Sequence, residues 1–328
     1  ICMNKKILIV GSLGLVGSEA MDFFDGKGWE TVGIDNNGRS VFFNTPTQEY
    51  GKTLHVDIRD EEKIELLFKE NKFDAVINCC AQPSHDYSKE HVLEDFDINA
   101  RGTVLLLEAT RKHCPNAVFV FVSTDKVYGG NMYRPVVDGT LRFYDPAPFT
   151  EKVSIDQAIH SPFGCSKAAA DLYVQEYGYC YGLKTVCFRC GCITGRRHAG
   201  AEAHGFLSYL VKCIKEDRVY KIFGFKGKQV RDQIHAYDLV NAFWHFIENP
   251  KVAAVYNMGG GRKRAVSILS AIKLIEKALG KEALVEFIDE ERKGDRNWDI
   301  HDVSKFQKDY PAWQYKFSLK NIINDLCS

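Results

Sequence analysis

The sequence has no long apolar run, no excess of either charge and no regular spacing of its cysteines. No segment approaches the roughly 18 consecutive apolar residues of a membrane-spanning helix. The 43 basic residues balance the 43 acidic ones, so no overall field would attract nucleic acid or an anionic membrane. These absences predict a protein that binds neither nucleic acid nor a lipid bilayer.

The 11 cysteines indicate free thiols rather than a metal site or a disulfide framework. Cys187, Cys190 and Cys192 surround the end of an apolar run, but no second cysteine pair or histidine set stands at zinc-ribbon spacing. The first residues, Ile1 to Lys6, lack the apolar core of a secretory signal. Because free thiols persist in a reducing compartment, we expect a cytoplasmic protein without a metal ion.

Short β-rich apolar runs alternate with amphipathic helical stretches, a pattern typical of a parallel sheet covered on both faces. The predicted strands are residues 6–10, 30–35, 53–56, 74–79, 117–123 and 185–189. The predicted helices are residues 61–70, 95–111, 166–181, 206–215, 238–248, 267–279 and 319–326. We expect an α/β fold of two parts. Residues 1–189 and 231–257 form a doubly wound domain, and residues 190–230 and 258–328 form a smaller, interleaved C-terminal lobe.

A glycine-rich turn follows the first predicted strand and opens a helix; it reads Gly11-Ser12-Leu13-Gly14-Leu15-Val16-Gly17. Glycines allow a tight turn and a close approach of the backbone, and the N–H groups of a helix N-terminus bind a pyrophosphate. Asp35, followed by Asn36, ends the second strand at the spacing where an acid binds an adenosine ribose. This Rossmann-type pattern predicts a dinucleotide. The acid favours NAD over NADP, whereas the nearby Arg39 would favour NADP.

Four further segments carry a resemblance to a known family. They are Ser123-Thr124-Asp125-Lys126-Val127-Tyr128-Gly129, His160 to Lys167, Lys228-Gln229-Val230-Arg231-Asp232 and Tyr256-Asn257-Met258-Gly259-Gly260. With them the chain resembles the extended short-chain dehydrogenase/reductases that act on nucleotide sugars, and among these the CDP-tyvelose (CDP-paratose) 2-epimerases. The resemblance implies that bound NAD takes a hydride from C2 of a CDP-sugar and returns it to the other face of the keto-sugar. It also implies a homodimer, formed through residues 95–111 and 166–181 of each subunit.

The resemblance also implies roles for individual residues. Besides the glycine turn and Asp35, the residues expected at the cofactor are Asn36, Asp57, Ile58, Cys80, Ala81, Gln82, Asn99 and Lys167. Those expected to bind the nucleotide sugar are Ser84, His85, Arg189, Phe206, Gln229, Arg231 and Arg296. Ser123 and Thr124 would hold the reacting hydroxyl, and Lys167 would orient the nicotinamide ribose. Three more residues, equally consistent with phosphate binding and with a solvated surface, are Arg196, Arg197 and Arg292.

One position departs from the family pattern. Relatives carry a Tyr four residues before the Lys, so both side chains lie on one helix face and the phenolate takes a proton from the sugar. Here Phe163, which has no side-chain oxygen, stands four residues before Lys167. Three explanations stay open: an engineered Tyr→Phe change that traps a substrate complex, a natural variant in which another group takes the proton, or a catalytically silent binding protein. The candidate groups are Asp125, Tyr128, His160 and Cys165.

The two residues after Thr124 bear on the type of reaction. Related 4,6-dehydratases carry an acid pair there, and elimination uses the second carboxylate as base, whereas this chain has Asp125-Lys126. Dehydration is therefore disfavoured. We predict an NAD-dependent nucleotide-sugar epimerase. The alternatives are a 4,6-dehydratase, a 4-epimerase, or a protein that binds NAD and a nucleotide sugar without catalysis.

Overall fold

Seven parallel strands form the central sheet of the computed structural model, which describes residues 5–38, 53–132, 136–144, 147–198, 200, 205–291 and 296–328. The strands are β1 (Lys6–Val10), β2 (Glu30–Asp35), β3 (Thr53–His55), β4 (Ala75–Asn78), β5 (Val118–Thr124), β8 (Lys184–Cys190) and β12 (Ala254–Met258). Their order across the sheet is β3-β2-β1-β4-β5-β8-β12. The strand order reverses between β1 and β4, and ligands of doubly wound sheets bind at such a point. The predicted Rossmann-type α/β fold is confirmed.

Helices cover both faces of this sheet, because its strands are apolar on both sides. The helices are α1 (Leu15–Gly26), α2 (Glu61–Glu70), α3 (His85–Glu90), α4 (Val92–Phe96), α5 (Gly102–His113), α6 (Pro162–Tyr181), α7 (Phe206–Lys215), α8 (Ala236–Glu248), α9 (Ile268–Leu279), α10 (Ser304–Asp309) and α11 (Leu319–Cys327). Side chains of α1 and α8 join the core on one face, and those of α2, α5 and α6 join the core on the other. Ile7, Leu8 and Ile9 of β1 are accordingly fully buried.

The predicted helix over residues 95–111 is interrupted. After α4 ends at Phe96, residues Asp97–Arg101 form one wide turn of π-helix, and α5 then begins at Gly102. Asn99 in this turn is fully buried, and its Nδ2 donates to Oδ1 of Asp95 at 3.1 Å. A widened turn of this kind is common at functional sites. The predicted continuous helix is therefore wrong at residues 97–101.

The second lobe is organised around β11 (Val230–His235). Its other strands are β9 (Cys192–Thr194), β10 (Tyr220–Phe223), β13 (Ala265–Ser267), β14 (Val285–Ile288) and β15 (Trp298–Asp299), with a hairpin of β6 (Val137–Asp138) and β7 (Phe143–Tyr144) beside them. β11 pairs in parallel with β9 and β15 and antiparallel with β13. Ile214, Ile275 and Ile322 belong to the apolar core that α7, α9 and α11 share.

The segment 231–257 contributes to both parts of the molecule. β11 lies in the sheet of the second lobe, while β12 completes the central sheet and α8 covers it. The predicted domain boundaries as a whole stay a prediction. Among the described residues, no helix combines the length and the apolar character needed to cross a bilayer. The expected cytoplasmic location also stays a prediction.

Candidate active site

A cavity of about 430 Å³ lies at the carboxyl ends of the central strands. The glycine turn after β1 forms one end of its wall, and β9, β11 and β15 of the second lobe form the other end. Of the residues predicted to contact the cofactor, all except Asp57, Gln82 and Asn99 line this cavity. All five residues predicted to be catalytic line it as well: Ser123, Thr124, Asp125, Phe163 and Lys167.

Two glycines of the turn, Gly11 and Gly17, leave no room for a side chain at their positions. Gly11 has a left-handed backbone with φ of +80°, and a Cβ on Gly17 would lie 2.0 Å from the carbonyl oxygen of Gly11. The N-terminus of α1, a helix that the structure describes completely, carries no side-chain cap. Its first N–H groups are therefore available to a ligand. This cradle fits the pyrophosphate of a dinucleotide.

Asp35 is held at the edge of the turn. Its Oδ2 accepts a hydrogen bond from the Leu13 N–H at 3.1 Å, and its Oδ1 accepts one from the Asn37 N–H at 2.8 Å. Asp57 lies outside the cavity wall, where its carboxylate binds Arg59 and accepts from Nδ2 of Asn36 at 2.8 Å. Hydrogen bonds from Arg59 lower the pKa of Asp57 to about 2. In this position Asp57 orients Asn36, which does line the cavity. Arg39 lies outside the described residues.

Gln82 and Asn99 form a buried network behind the wall. Oδ1 of Asn99 accepts from the Gln82 N–H at 3.0 Å, and Nδ2 of Asn99 contacts the Ser166 hydroxyl at 3.1 Å. Ser166 also donates to Asp95 at 2.5 Å. The network ties the turn at Ala81 to the helix that carries Lys167. Sequence reasoning missed Asp95 and Ser166; the only signal for them is a polar residue on a helix face that is otherwise apolar.

Lys167 and Phe163 lie one turn apart on α6, as the spacing predicts. The helix begins at Pro162, four residues before the predicted start, because the Ser161 hydroxyl caps it by accepting from the Gly164 N–H at 3.1 Å. Nζ of Lys167 donates to the Val122 carbonyl at 2.8 Å. Burial lowers the pKa of Lys167 to about 8.

The last two residues of β5, Ser123 and Thr124, carry hydroxyl groups that contact different partners. The Ser123 hydroxyl donates to Oδ2 of the buried Asp171 at 2.6 Å. The Thr124 hydroxyl accepts from the Lys126 N–H at 3.2 Å and contacts Oδ1 of Asp125 at 3.2 Å. The Ser123 hydroxyl is therefore engaged by a buried carboxylate, and the Thr124 hydroxyl is better placed to bind a ligand.

Asp125 lines the cavity as a paired carboxylate. Its Oδ2 lies 2.6 Å from Nη2 of Arg296 and 3.7 Å from Nζ of Lys126. Although burial acts to raise it, the charges of Lys126 and Arg296 hold the pKa of Asp125 well below its usual range. A carboxylate that stays ionised in this way is a weak base.

The other three candidate bases lie outside the cavity wall. The Tyr128 hydroxyl donates to Oδ1 of the buried Asn257 at 2.6 Å, and burial raises the pKa of Tyr128 to about 12. His160 places Nδ1 2.9 Å from the Ala158 carbonyl and Nε2 2.7 Å from the Val127 carbonyl. Both nitrogens of that ring are thus engaged by backbone. The fourth candidate, Cys165, is exposed.

Only part of the predicted substrate set reaches the cavity. His85, Phe206 and Arg231 line it. Ser84 instead caps α3 by accepting from the Tyr87 N–H at 3.2 Å, and Nε2 of Gln229 donates to the Phe223 carbonyl at 3.1 Å.

The predicted arginines are mostly paired within the protein. Arg189 is buried against Asp171, with Nη2 2.7 Å from Oδ1, and Arg296 contacts Asp125. Arg197 contacts Asp22 at 2.5 Å. The Arg196 backbone N–H donates to Asp325 at 3.0 Å. Arg292 lies outside the described residues. Residue type could not reveal these pairings, because the partners are distant in sequence.

The cavity also contains an imidazole that sequence reasoning missed. Nδ1 of His301 lies 2.8 Å from Oδ1 of Asp232, and both residues line the wall with Asp299. Although burial opposes it, the Asp232 carboxylate raises the pKa of His301. Asp232 stands in the predicted 228–232 run, but His301 has no local signal.

Comparisons with known proteins cover both lobes. The sequence pattern of the NAD dependent epimerase/dehydratase family matches residues 7–259. The CDP-paratose 2-epimerase of Salmonella typhi is 30% identical over 286 residues, which are 83% of this chain and 83% of that protein. A dTDP-glucose 4,6-dehydratase of Xanthomonas campestris pv. campestris is 26% identical over 333 residues, 95% of this chain and 89% of that protein. The UDP-glucose 4-epimerase of Thermus thermophilus, solved in complex with NAD, superposes with a TM-score of 0.82 at 25% identity, covering 98% of this chain and 97% of that one.

Proposed function

Because the chain belongs to the NAD dependent epimerase/dehydratase family, whose cofactor is NAD, we propose that it is an epimerase that inverts C2 of a CDP-sugar. The observation that carries this proposal is one cavity that joins a dinucleotide cradle to Lys167 and Thr124. The similarity to a CDP-paratose 2-epimerase supports the choice of nucleotide and carbon. A natural variant that uses another proton acceptor is the explanation of Phe163 that we adopt.

The chain's own residues would hold the cofactor at the glycine cradle. The N–H groups at the start of α1 bind the pyrophosphate, and the Asp35 carboxylate accepts from the adenosine ribose. Lys167, which also lines the cavity, would donate to the nicotinamide ribose. Bound NAD would supply the acceptor and donor of hydride for the sugar carbon.

The nucleotide sugar would occupy the end of the cavity formed by the second lobe. Thr124 binds the reacting hydroxyl, and Phe206 offers a ring on which a nucleobase stacks. Arg231, which lines the cavity with its Nε 3.4 Å from Asp299, would bind the diphosphate. Gln229, Arg189 and Arg296 support the fold around this end rather than touching the ligand.

The position after Asp125 separates this proposal from a dehydratase. Elimination of water needs a base that removes a carbon-bound proton, and here Lys126 presents an ammonium 3.7 Å from Asp125 and 3.8 Å from Asp299. Both carboxylates are therefore paired with cations. This arrangement favours epimerisation, in which no carbon–oxygen bond is broken.

The test is an incubation of the purified chain with NAD and CDP-paratose or CDP-tyvelose carrying deuterium at C2. We expect an isobaric product in which the label remains at C2, because the hydride returns to the carbon that it left. A product lighter by one water would establish a dehydratase. Preference for a UDP- or dTDP-sugar would overturn the CDP assignment. Binding of both ligands without any product would establish a silent binding protein.

We further propose the homodimer that the family resemblance implies. Several aromatic and aliphatic side chains of α6 are exposed, among them Leu172 at 50%, Tyr173 at 50% and Tyr179 at 68%. Phe96, at the end of α4, is 49% exposed. Such apolar exposure supports pairing through α6. Light scattering coupled to gel filtration should give twice the mass of one chain.

A further inference from the structure

The imidazole of His85 contacts the Phe163 ring. His85 and Phe163 meet edge to face, with ring centroids 4.9 Å apart and an interplanar angle of 64°. Both residues line the cavity. His85 therefore lies beside the ring that would carry the phenol oxygen in a Tyr-bearing relative.

Two serines hold the two rings in this arrangement. The Ser88 hydroxyl donates to the His85 carbonyl at 2.8 Å and accepts from the Phe163 N–H at 3.2 Å. The Ser161 hydroxyl oxygen lies 2.8 Å from Nδ1 of His85 and also caps α6. The start of α3 and the start of α6 are thus joined on both sides of the contact, which fixes the orientation of the imidazole.

This arrangement assigns different roles to the two ring nitrogens. When Nδ1–H donates to the Ser161 oxygen, the lone pair lies on Nε2. Nε2 has no hydrogen-bond partner among the described residues, so a ligand in the cavity can supply one.

The His85 ring is neutral before the reaction. Burial lowers the pKa of His85 to about 4. The charges of Lys126 and Arg296 lower the pKa further, while Asp125 and Asp86 raise it. The neutral ring can accept a proton, and an imidazolium formed in the cavity gives that proton back readily. With this pKa the ring is a weak base, so the case for His85 rests on its position beside Phe163 in the cavity wall.

We propose that His85 is the catalytic acid–base of this chain, in place of the missing phenol. As the hydride leaves the sugar carbon with its electron pair, the hydroxyl proton passes to Nε2 and the carbon–oxygen bond becomes a carbonyl. When the hydride returns to the opposite face, the imidazolium gives the proton back to the oxygen. No net oxidant is consumed. The inference rests on the proposed epimerase function.

Two other cavity residues are less suited to this role. Nε2 of His301 is buried and has no hydrogen-bond partner in the described part of the chain, and a Cβ on Gly191 would lie 2.2 Å from its ring, so the nitrogen is enclosed by protein. Lys126 is engaged by two carboxylates, with Nζ 3.7 Å from Asp125 and 3.8 Å from Asp299.

The first test is the variant His85→Gln. We expect kcat to fall by roughly 10²- to 10⁴-fold, the usual contribution of a general acid–base. Affinities for NAD and for the CDP-sugar, measured by calorimetry, should stay within about threefold because Gln retains a group that bonds Ser161. The matched control is His245→Gln, on α8 outside the cavity wall, where burial also lowers the histidine pKa. It should leave turnover unchanged.

The second test restores the phenol. In the double variant His85→Gln, Phe163→Tyr, we expect turnover to recover at least tenfold over the single variant. The acid limb of its pH profile should move to higher pH, because a phenol must ionise to act as base. Independently of turnover, nitrogen NMR of the wild-type chain should report the tautomer with the proton on Nδ1 of His85.

Three outcomes would overturn the inference. His85→Gln could keep kcat within threefold of wild type, or it could lose ligand affinity in step with turnover. NMR could place the proton on Nε2 in the neutral ring. By contrast, a wild-type chain that converts no CDP-sugar refutes the proposed function itself and, with it, this inference.

Discussion

The two ends of the cavity are built in different ways. At the proposed cofactor end, the cavity wall is backbone: Gly11 and Gly17 bring main chain against main chain, and the Asp35 carboxylate accepts from the Leu13 N–H beside them. At the substrate end, the surface consists of charged side chains that hold one another, such as Asp125 with Arg296. A backbone cradle depends on local residue types, whereas a charge network depends on partners that only folding brings together.

The largest effect should come from breaking the charge network at the substrate end. Arg296→Met leaves the buried carboxylate of Asp125 without its nearest partner, so we expect a loss of about 3–5 kcal/mol in the free energy of unfolding. Urea denaturation of the chain measures it. The control Arg218→Met removes a half-exposed pair with Glu216 and should cost less than about 1 kcal/mol. Equal losses would mean that the network does not hold this end together.

A second substitution should weaken NAD binding at the cofactor end and leave the charge network at the substrate end intact. Gly17→Ala places a Cβ against the Gly11 carbonyl, so the turn must move and we expect the Kd for NAD to rise about 10- to 100-fold. Gly26→Ala, at the end of the same helix, meets no atom within 4 Å and is the control. Calorimetric titration with NAD measures both. An unchanged Kd for Gly17→Ala would show that the cradle is not the pyrophosphate site.

The smallest expected effect is a dependence of the free energy of unfolding on pH. Burial lowers the pKa of His85 to about 4 in the folded chain, from an ordinary value of 6.5. Between these values the unfolded chain binds the extra proton, so the folded state loses stability as the pH falls from 6.5 to 4. We expect wild type to lose about 1–3 kcal/mol more than His85→Gln over this interval. Denaturation curves at several pH values measure the difference, and a difference that does not change with pH would contradict it.

Much of the fold could be predicted because its signals are local. The β1 and β2 strands have the predicted limits, and β1 is a short apolar run between Lys5 and Gly11. The π-helical turn at residues 97–101 could not be predicted, because helix propensity and apolar residues do not specify which backbone hydrogen bonds form.

The site residues likewise include some that local motifs predicted and others that they could not. The glycine turn, Asp35, Thr124 and Lys167 line the cavity as their motifs predict. Arg189 carries the residue type expected of a phosphate ligand, yet Asp171 holds it in the interior.

The sequence by itself determined the doubly wound sheet, the glycine turn that we propose binds the cofactor, and the absence of a phenol at position 163. Periodicity, glycine spacing and residue identity suffice for these, since each depends on neighbours a few residues apart. Only the tertiary structure decided which charged groups face a ligand and which face each other. It also brought His85 into contact with Phe163, 78 residues further along the chain. A buried charge needs a partner, and only the packing of the folded chain decides which group is near enough to be one.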